Sequence, residues 1–234
     1  MRRGGNPIMA EAAATVAVLV LAAGRSSRTA PAHKLLAPDA TGQTMLARTV
    51  HTALLSRAAH IIVVVPPNQP DLHQLVQTAL PTNPRLHSCT AHNAAQGLSA
   101  SLKAGVAYAE NLGAQAVLVC LGDMPLVSAT LMNALIATQA LVPPPPAAAP
   151  ELAGRPGNPV IWHHSQFAAL KAVEGDKGGR AILAALGAAV LRVPANLAEL
   201  VDFDTPERLA EFARLTKAPI DQEPSALKSS TRAG

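Results

Sequence analysis

Three basic side chains follow the first apolar run of the chain, and their spacing suits phosphate binding. Arg25, Arg28 and Lys34 come after residues 16–21, an unbroken stretch of aliphatic residues. Such a run is typical of a parallel strand that is buried on both faces. Residues 22–24 are Ala, Ala and Gly, so backbone N–H groups there can approach a ligand closely. The pattern predicts a strand that leads into a phosphate-binding loop, although an ordinary strand end with a basic surface loop has the same composition.

Carboxylates occur at two later points of the chain where an extended segment ends. Asp123 lies in the sequence GDMP, directly after the apolar residues 116–121, and Asp202 and Asp204 precede the last helical pattern. Ligands of open α/β sheets bind beyond the carboxyl ends of the strands, so Asp123 is predicted to face the same crevice as the basic loop. A carboxylate there suits Mg2+, whereas the alternative role is a turn or helix cap. Asp202 and Asp204 are two residues apart and share one side of an extended segment.

Glycine-rich segments precede two predicted helices and offer further places for an anion. Residues 96–102, QGLSASL, open one helix, and residues 175–180, GDKGGR, open another. The N-terminus of a helix attracts anions because its first N–H groups are unsatisfied. Capping by the serines, and a capped connector at 175–180, explain the same residues without a ligand. A third segment, GRPGNP at 154–159, predicts a turn before a strand.

Apolar runs and helical periodicities alternate along the chain. Strands are predicted at residues 16–21, 61–65, 85–90, 116–121, after 159 and at 189–193, and helices at 44–57, 71–80, 96–112, 128–141, 181–186 and after Thr205. This alternation is the signature of a doubly wound parallel sheet. We therefore predict an α/β fold: a Rossmann-like, doubly wound, mostly parallel sheet with helices on both faces, in a single domain at residues 12–216.

Composition limits the function classes. Of the 234 residues 49% are hydrophobic but only 2% aromatic, so the core must be built from Ala, Val, Leu and Ile. The net charge of +4 and the pI near 9.4 suit an anionic ligand, but no basic cluster with interleaved aromatics indicates nucleic-acid binding. No uncharged apolar run reaches the roughly 20 residues of a membrane helix. Cys89 and Cys120 match no metal-ligand spacing and are interpreted as reduced core residues of a cytoplasmic protein.

Three segments are predicted to lie outside the packed core. Residues 1–11 are interpreted as a flexible leader and residues 217–234 as a disordered tail. Residues 143–150, PPPPAAAP, are predicted to form a stiff, exposed linker within an insertion, since they provide little for a core. His163 and His164 are not favoured as metal ligands, because adjacent residues of a strand point apart.

Five of these segments, in the same order, resemble the motifs of one family. LAAGRSSR followed by Lys34, then QGLSASL, GDMP, GRPGNP with GDKGGR, and DFDTPE are similar to nucleotidyltransferases of the molybdopterin-nucleotide type, and most of all to the molybdenum cofactor cytidylyltransferases. The resemblance spans about residues 14–212. The sequence departs from the family pattern at Thr29 and Ala30, where the family carries Met or Phe and then Gly.

The resemblance implies a role for each motif. Arg28, Lys34 and Asp123 would be catalytic, while Asp123 and Asp204, in preference to Asp202, would hold Mg2+. The implied nucleotide-binding residues are Leu21, Ala22, Ala23, Gly24, Arg25, Gln96, Gly97, Ser99 and Ser101. The implied acceptor-binding residues are Arg155, Asn158, Asp176 and Arg180.

The reaction that the resemblance implies is transfer of CMP from CTP to molybdopterin with bound molybdenum, with release of pyrophosphate. A recipient molybdoenzyme would be a transient partner. LAAG rather than LAGG favours cytidine over guanosine by the same resemblance. Two alternatives remain open: a sugar or polyol phosphate as acceptor, or, because of Thr29 and Ala30, a non-catalytic protein that carries the molybdenum cofactor to a partner enzyme.

Overall fold

The computed structural model describes residues 14–24, 33–79, 83–94, 97–152, 154–175 and 178–216. The predicted leader at residues 1–11 and the predicted tail at residues 217–234 lie outside these ranges. Within them, no helix is long and apolar enough to cross a membrane.

A central sheet organises the fold. Its strands are β1 (Val16–Leu21), β2 (His60–Val65), β3 (Leu86–Thr90), β4 (Ala116–Leu121), β5 (Ala147–Leu152), β6 (Arg155–Pro156), β7 (Val160–His163) and β8 (Val190–Val193). The order is β3-β2-β1-β4-β7-β5-β6, and β8 pairs with β5. The pairs within β1 to β4 are parallel, as is β5 with β8, whereas β7 is antiparallel to β4 and β5, and β6 to β5. The predicted Rossmann-like, doubly wound, mostly parallel sheet is confirmed.

Helices cover both faces of this sheet because its central strands are apolar on both. They are α1 (Met45–Leu55), α2 (Pro70–Gln74, continued by a π-helical turn at Leu75–Ala79), α3 (Leu98–Asn111), α4 (Ala129–Ala137), α5 (Phe167–Ala172), α6 (Arg180–Leu186) and α7 (Pro206–Phe212). Helices α1, α2, α4 and α7 share a core with Val16, Val18 and Val20 of β1. Helices α3, α5 and α6 pack on the other face, with Ala17, Leu19 and Leu21. Alternate residues of one strand therefore supply two cores.

The register of β1 sets where its loop begins. Leu21 is aligned with Val64 of β2 on one side and with Leu121 of β4 on the other. The strands are parallel, so the loops after β1 and β4 leave the sheet at the same edge. This edge is the place where an open α/β sheet binds ligands.

Hydroxyl side chains fix the starts of three helices. Thr44 accepts the N–H of Ala47 before α1, and Ser128 accepts the N–H of Leu131 before α4. Thr205 accepts the N–H of Arg208, and a proline follows it at the start of α7. Thr205 therefore caps the last helix, with proline at the first helical position.

The prediction of an exposed linker at residues 143–150 is wrong for its second half. Ala147, Ala148 and Ala149 are fully buried in β5, which lies between β7 and β8. Alanine is small enough to fill the narrow space under a strand covered on both faces, so low side-chain volume here indicates close packing. The carbonyl of Pro150 also accepts the N–H of Gly157, which ties β5 to the following turn.

The two cysteines are buried thiols, as predicted. Cys89 lies in β3 and Cys120 in β4, and both are free. Burial raises the pKa of both, that of Cys120 to about 12. Both thiols are therefore protonated at neutral pH and inert as nucleophiles.

Candidate active site

Lys34 and Asp123 form an ion pair at the carboxyl edge of the sheet. Lys34 Nζ donates to Asp123 Oδ2 at 2.5 Å, and the two side chains are 18% and 17% exposed. The other oxygen, Asp123 Oδ1, is buried and has no hydrogen-bond partner among the described residues. The pair thus places one cation, and one carboxylate oxygen free to bind, at the point predicted for phosphate and metal.

A single helical turn holds Lys34. The turn covers Lys34–Leu36, and His33 caps it, with Nδ1 accepting the N–H of Leu35 at 3.4 Å. Leu35 is buried and its Cδ1 would lie 3.2 Å from a Cβ at Gly122. Burial, and then the charge of Lys34, lower the pKa of His33. His33 is therefore neutral near pH 7 and accepts a hydrogen bond in this turn.

The turn that carries Asp123 is fastened to the end of β1. The N–H of Gly122 donates to the carbonyl of Leu21 at 3.0 Å, and a Cβ at position 122 would lie 3.1 Å from that oxygen. Glycine is needed because the two backbones approach so closely. Thr49 Oγ1 of α1 donates to the carbonyl of Gly122 at 3.2 Å and shares this proton with the carbonyl of Met45 at the same distance. Helix α1 therefore fixes the peptide that directly precedes Asp123.

The segment with Asp202 and Asp204 lies against the same turn. The N–H of Phe203 donates to the carbonyl of Asp123 at 3.1 Å. Partial burial, then the charges of Asp204 and Asp123, raise the pKa of Asp202, while Lys34 opposes this shift. Because Asp204, Asp123 and Lys34 all act on the charge of Asp202, these four side chains lie near one another at this edge of the sheet.

The start of α3 has backbone N–H groups that already have partners: Gly97 donates to the carbonyl of Ala94 and Ala100 to that of Gly97. Gly97 precedes the helix with φ of 101°, which favours glycine, and no side chain caps the helix. Ser99 and Ser101 are both buried, and Ser101 Oγ has no hydrogen-bond partner within the ranges that the structure covers. The alternative of serine capping is therefore not observed.

A second glycine-rich loop packs onto the start of α3. The carbonyl of Gly175 accepts the N–H of Ser99 at 3.1 Å. A Cβ at Gly178 would lie 3.2 Å from Leu98, and one at Gly179 would lie 2.5 Å from the buried ring of Trp162. The loop that begins α6 is thereby held beside the predicted nucleotide-binding helix.

Residues 18–190 match the model of the MobA-like NTP transferase domain. The purine catabolism protein PucB of Bacillus subtilis (strain 168) is 33% identical over 193 residues, which are 80% of this chain and 90% of the relative. The chain belongs to the MobA-like NTP transferase family. It is a nucleotidyltransferase, as the sequence predicted.

Solved structures share the fold of this MobA-like transferase. Rv0371c from Mycobacterium tuberculosis H37Rv superposes with a TM-score of 0.72 at 22% identity, over 87% of this chain and 99% of that one. The same protein in complex with manganese gives 0.64 at 21% identity, over 85% and 98%. A nucleotidyl transferase from Methanothermobacter thermautotroptrophicus gives 0.70 at 21%, over 85% and 96%.

Several predicted site residues of the MobA-like chain lie outside the described ranges. These are Arg25, Arg28, Gln96 and Asp176, and the side chain of Arg155 is likewise not described. Thr29 and Ala30, where the sequence departs from the family pattern, also lie outside the described ranges. Ala22 and Ala23 are buried at the end of β1, while Gly24 is exposed and a Cβ there would meet no atom of the described residues within 4 Å. Asn158 is half-buried before β7, and Arg180 is exposed at the first position of α6. The structure therefore brings Lys34 and Asp123 into contact and places residues 202–204 beside them, while the roles of all these residues stay predictions.

Sequence reasoning did not find the buried groups that support the MobA-like site. Asp39 and Arg48 form an ion pair behind Lys34, and Thr49 anchors the turn of Asp123. One signal was present in the sequence: Arg48 occupies the buried stripe of α1, one turn after Met45. A charged residue in such a stripe requires a buried partner.

Proposed function

We propose that this transferase moves CMP from CTP to molybdopterin with bound molybdenum, with Mg2+ as the metal and pyrophosphate as the second product. The observation that carries the proposal is the Lys34–Asp123 pair, in which the buried Asp123 Oδ1, at the ligand-binding edge of the sheet, has no partner among the described residues. A recipient molybdoenzyme is the proposed partner. We also propose a cytoplasmic location, which the two buried, free thiols favour.

The carboxylates fit a divalent cation. Asp123 Oδ1 lacks a partner in the described part of the chain. Burial and then the charges of Asp204 and Asp123 raise the pKa of Asp202, and a cation would offset the charge repulsion. No three His, Cys, Asp or Glu side chains among the described residues could hold a metal on their own. This agrees with Mg2+, which takes one or two carboxylates and completes its shell with phosphate and water. The manganese complex of Rv0371c supports a divalent cation in this fold.

We assign Asp123 and Asp204 as the proposed metal carboxylates. Asp202 is the competing choice, because its charge is coupled to both of them. When bound, Mg2+ would neutralise phosphate oxygens around the reacting phosphorus. Separate Asp202→Asn and Asp204→Asn variants distinguish the two, because loss of a ligand raises the Mg2+ concentration required for half-maximal rate.

The nucleotide would lie across the ends of β1 and β4. Small residues at 22–24 leave room for it, and Lys34 supplies positive charge for its phosphates. Ser101 at the start of α3 provides a buried hydroxyl, without a partner among the described residues, for the base or ribose. Arg28 is proposed to assist Lys34 from the loop after β1.

The reaction needs positioning more than covalent catalysis. An oxygen of the acceptor phosphate attacks the α-phosphorus in line, and the bond from that phosphorus to the bridging oxygen of the β-phosphate breaks. Lys34 and Arg28 stabilise the charge on the leaving pyrophosphate. No general base is required, because a phosphate monoester is already ionised near neutral pH.

The acceptor is proposed to bind on the side of the loops before β7 and α6. Arg155, Asn158, Asp176 and Arg180 are the proposed contacts, and the Gly175–Ser99 hydrogen bond keeps this side close to the nucleotide helix. The motifs LAAG, GRPGNP and GDKGGR support cytidine and the molybdenum cofactor as substrates.

The experiment is pyrophosphate release with Mg2+ and each of CTP, GTP, ATP and UTP, with and without freshly prepared molybdenum cofactor. Release with CTP that requires the cofactor, and that disappears in Asp123→Asn, is the expected result. Turnover with a sugar or polyol phosphate instead would mean that this phosphate, and not the molybdenum cofactor, is the acceptor of the transferase. Cofactor binding without any pyrophosphate release would favour the carrier hypothesis.

A further inference from the structure

One buried ion pair lies behind the site and does not line it. Arg48 Nη1 donates to Asp39 Oδ2 at 2.5 Å, and the side chains are 1% and 0% exposed. Asp39 Oδ1 accepts the N–H and the hydroxyl of Thr41 and the N–H of Gln43, at 2.7, 2.6 and 3.0 Å. Apolar residues of similar volume often stabilise a core as well as a buried ion pair does. Stability is therefore a weak explanation for this pair.

The first connection of the pair leads to Lys34. The turn of Lys34 ends at Ala37, whose carbonyl accepts the N–H of Met45, the first residue of α1. Asp39 begins the next turn, and its N–H donates to the carbonyl of Gln43 at 2.9 Å. Since Arg48 belongs to α1, the ion pair closes the segment after Lys34 onto that helix.

The second connection leads to the acidic segment. The guanidinium carbon of Arg48 lies 5.9 Å from the ring centre of Phe212 in α7, within range of a cation–π contact. The ring of Phe212 packs edge-on against Phe203 at 5.6 Å. The N–H of Phe203 donates to the carbonyl of Asp123. The N–H of Ala40, next to Asp39, donates to the carbonyl of Leu215, which follows α7.

We propose that Asp39 and Arg48 are positioning residues for nucleotidyl transfer. Their ion pair holds the Lys34 turn and residues 202–204 in a fixed relation to Asp123, so that the cation and the carboxylates meet at one phosphate. The proposal rests on the nucleotidyltransferase activity and is independent of which nucleotide and acceptor are used.

The test compares Arg48→Lys and Asp39→Asn with the unmodified protein. Lysine keeps the charge but loses the planar fork that reaches Asp39 and stacks over Phe212. Amide exchange by NMR should accelerate at Phe203 by about tenfold beyond the change in global opening. Mn2+ alone, titrated by electron paramagnetic resonance, should bind more weakly. The kcat for pyrophosphate release should fall about 10- to 100-fold, with a smaller change in nucleotide KM.

Arg85→Lys is the matched control. The guanidinium of Arg85 donates to the carbonyls of Ser56 and Ala58 at 3.0 Å each, and to the carbonyl of Leu54. These carbonyls lie at or just after the C-terminal end of α1, away from the N-terminal half that contains Arg48. Its loss should lower stability yet leave Phe203 exchange, relative to global opening, and Mn2+ binding unchanged.

Three results would overturn the proposal. The first is an Arg48→Lys variant whose Phe203 amide exchange and kcat equal those of the wild type. The second is an Arg85→Lys variant with the faster Phe203 exchange, weaker Mn2+ binding and lower kcat expected of Arg48→Lys. The third is failure of both Arg48→Lys and Asp39→Asn to fold, which would make the pair a determinant of global stability. Amide exchange and Mn2+ binding need no substrate, so they decide the matter even if the proposed CTP reaction is not observed.

Discussion

Gly179→Ala tests whether the loop before α6 must approach Trp162 as closely as the structure places it. A Cβ at position 179 would lie 2.5 Å from Cζ2 and 3.0 Å from Cη2 of Trp162. Carbon atoms in contact are about 3.5 Å apart or more, so one of the two residues must move by about 1 Å. Trp162 is 2% exposed and paired to β4 and β5, so the loop must give way. Gly179 has φ of −78°, so the clash alone decides the cost.

Overpacking of this kind costs about 1–3 kcal/mol, and urea denaturation should show that loss in the free energy of unfolding. The displacement would also move Arg180 and the Gly175 carbonyl that accepts the N–H of Ser99. We therefore expect kcat/KM for the acceptor to fall about tenfold or more, with a smaller effect on nucleotide KM.

Gly24→Ala is the stability control for this experiment, because its Cβ would meet no atom of the described residues within 4 Å. Its free energy of unfolding should change by less than about 0.5 kcal/mol. Wild-type stability of Gly179→Ala would contradict this prediction, since it would mean that the loop has room beside the Trp162 ring. A loss as large in Gly24→Ala would show that the clash is not the cause.

Three further predictions concern charged groups. Asp123→Asn and Lys34→Met should each lower kcat for pyrophosphate release by about 10²–10³-fold with an intact circular dichroism spectrum, and a loss below tenfold would remove them from the catalytic machinery. Burial, with Asp204 and Asp123, raises the pKa of Asp202 above its usual 3.8, so stability declines as pH rises through the folded-state pKa. Asp202→Asn should accordingly be more stable than wild type at neutral pH and equal to it in acid; urea denaturation across this range checks it, and a less stable variant at neutral pH contradicts it. Asp39 has the opposite sign: burial opposes its ionisation, but hydrogen bonds from Thr41 and Arg48 outweigh burial and lower the pKa below 3.8. The stability that ionised Asp39 contributes is present above pH 3.8 and is lost as the pH falls through its folded-state pKa, so Asp39→Asn should lower the free energy of unfolding by about 3–5 kcal/mol at neutral pH. The denaturation midpoints of variant and wild type should converge in acid. A difference that stays constant with pH would contradict this role of Asp39.

The sheet could be predicted from the sequence because its central strands are buried on both faces. Residues 16–21 and 116–121 are uninterrupted apolar runs, and the structure gives β1 and β4 the same bounds. β5 could not be predicted in this way. Its apolar residues are three alanines after a run of prolines, which do not resemble a strand in the sequence. They are buried because β7 and β8 pair with β5 on either side.

The candidate site was predictable where one motif ended one strand. GDMP follows β4, and the parallel register with β1 brings Asp123 to the loop edge without further information. The relative importance of Asp202 and Asp204 was not predictable, because spacing by two puts both on one side of the segment. What distinguishes them is tertiary: Asp202 is exposed, whereas Asp204 is half-buried.

Helix α1 carries the part of the site that has no motif. Arg48 and Thr49 are adjacent, yet one reaches the segment after Lys34 and the other the turn before Asp123. Neighbouring residues of a helix point about 100° apart, so one short stretch of α1 can hold both halves of the ion pair at once. Because an error of about 1 Å at a reacting centre can cost a hundredfold in rate, the accuracy of the Lys34–Asp123 contact depends on this buried helix as much as on the two residues themselves.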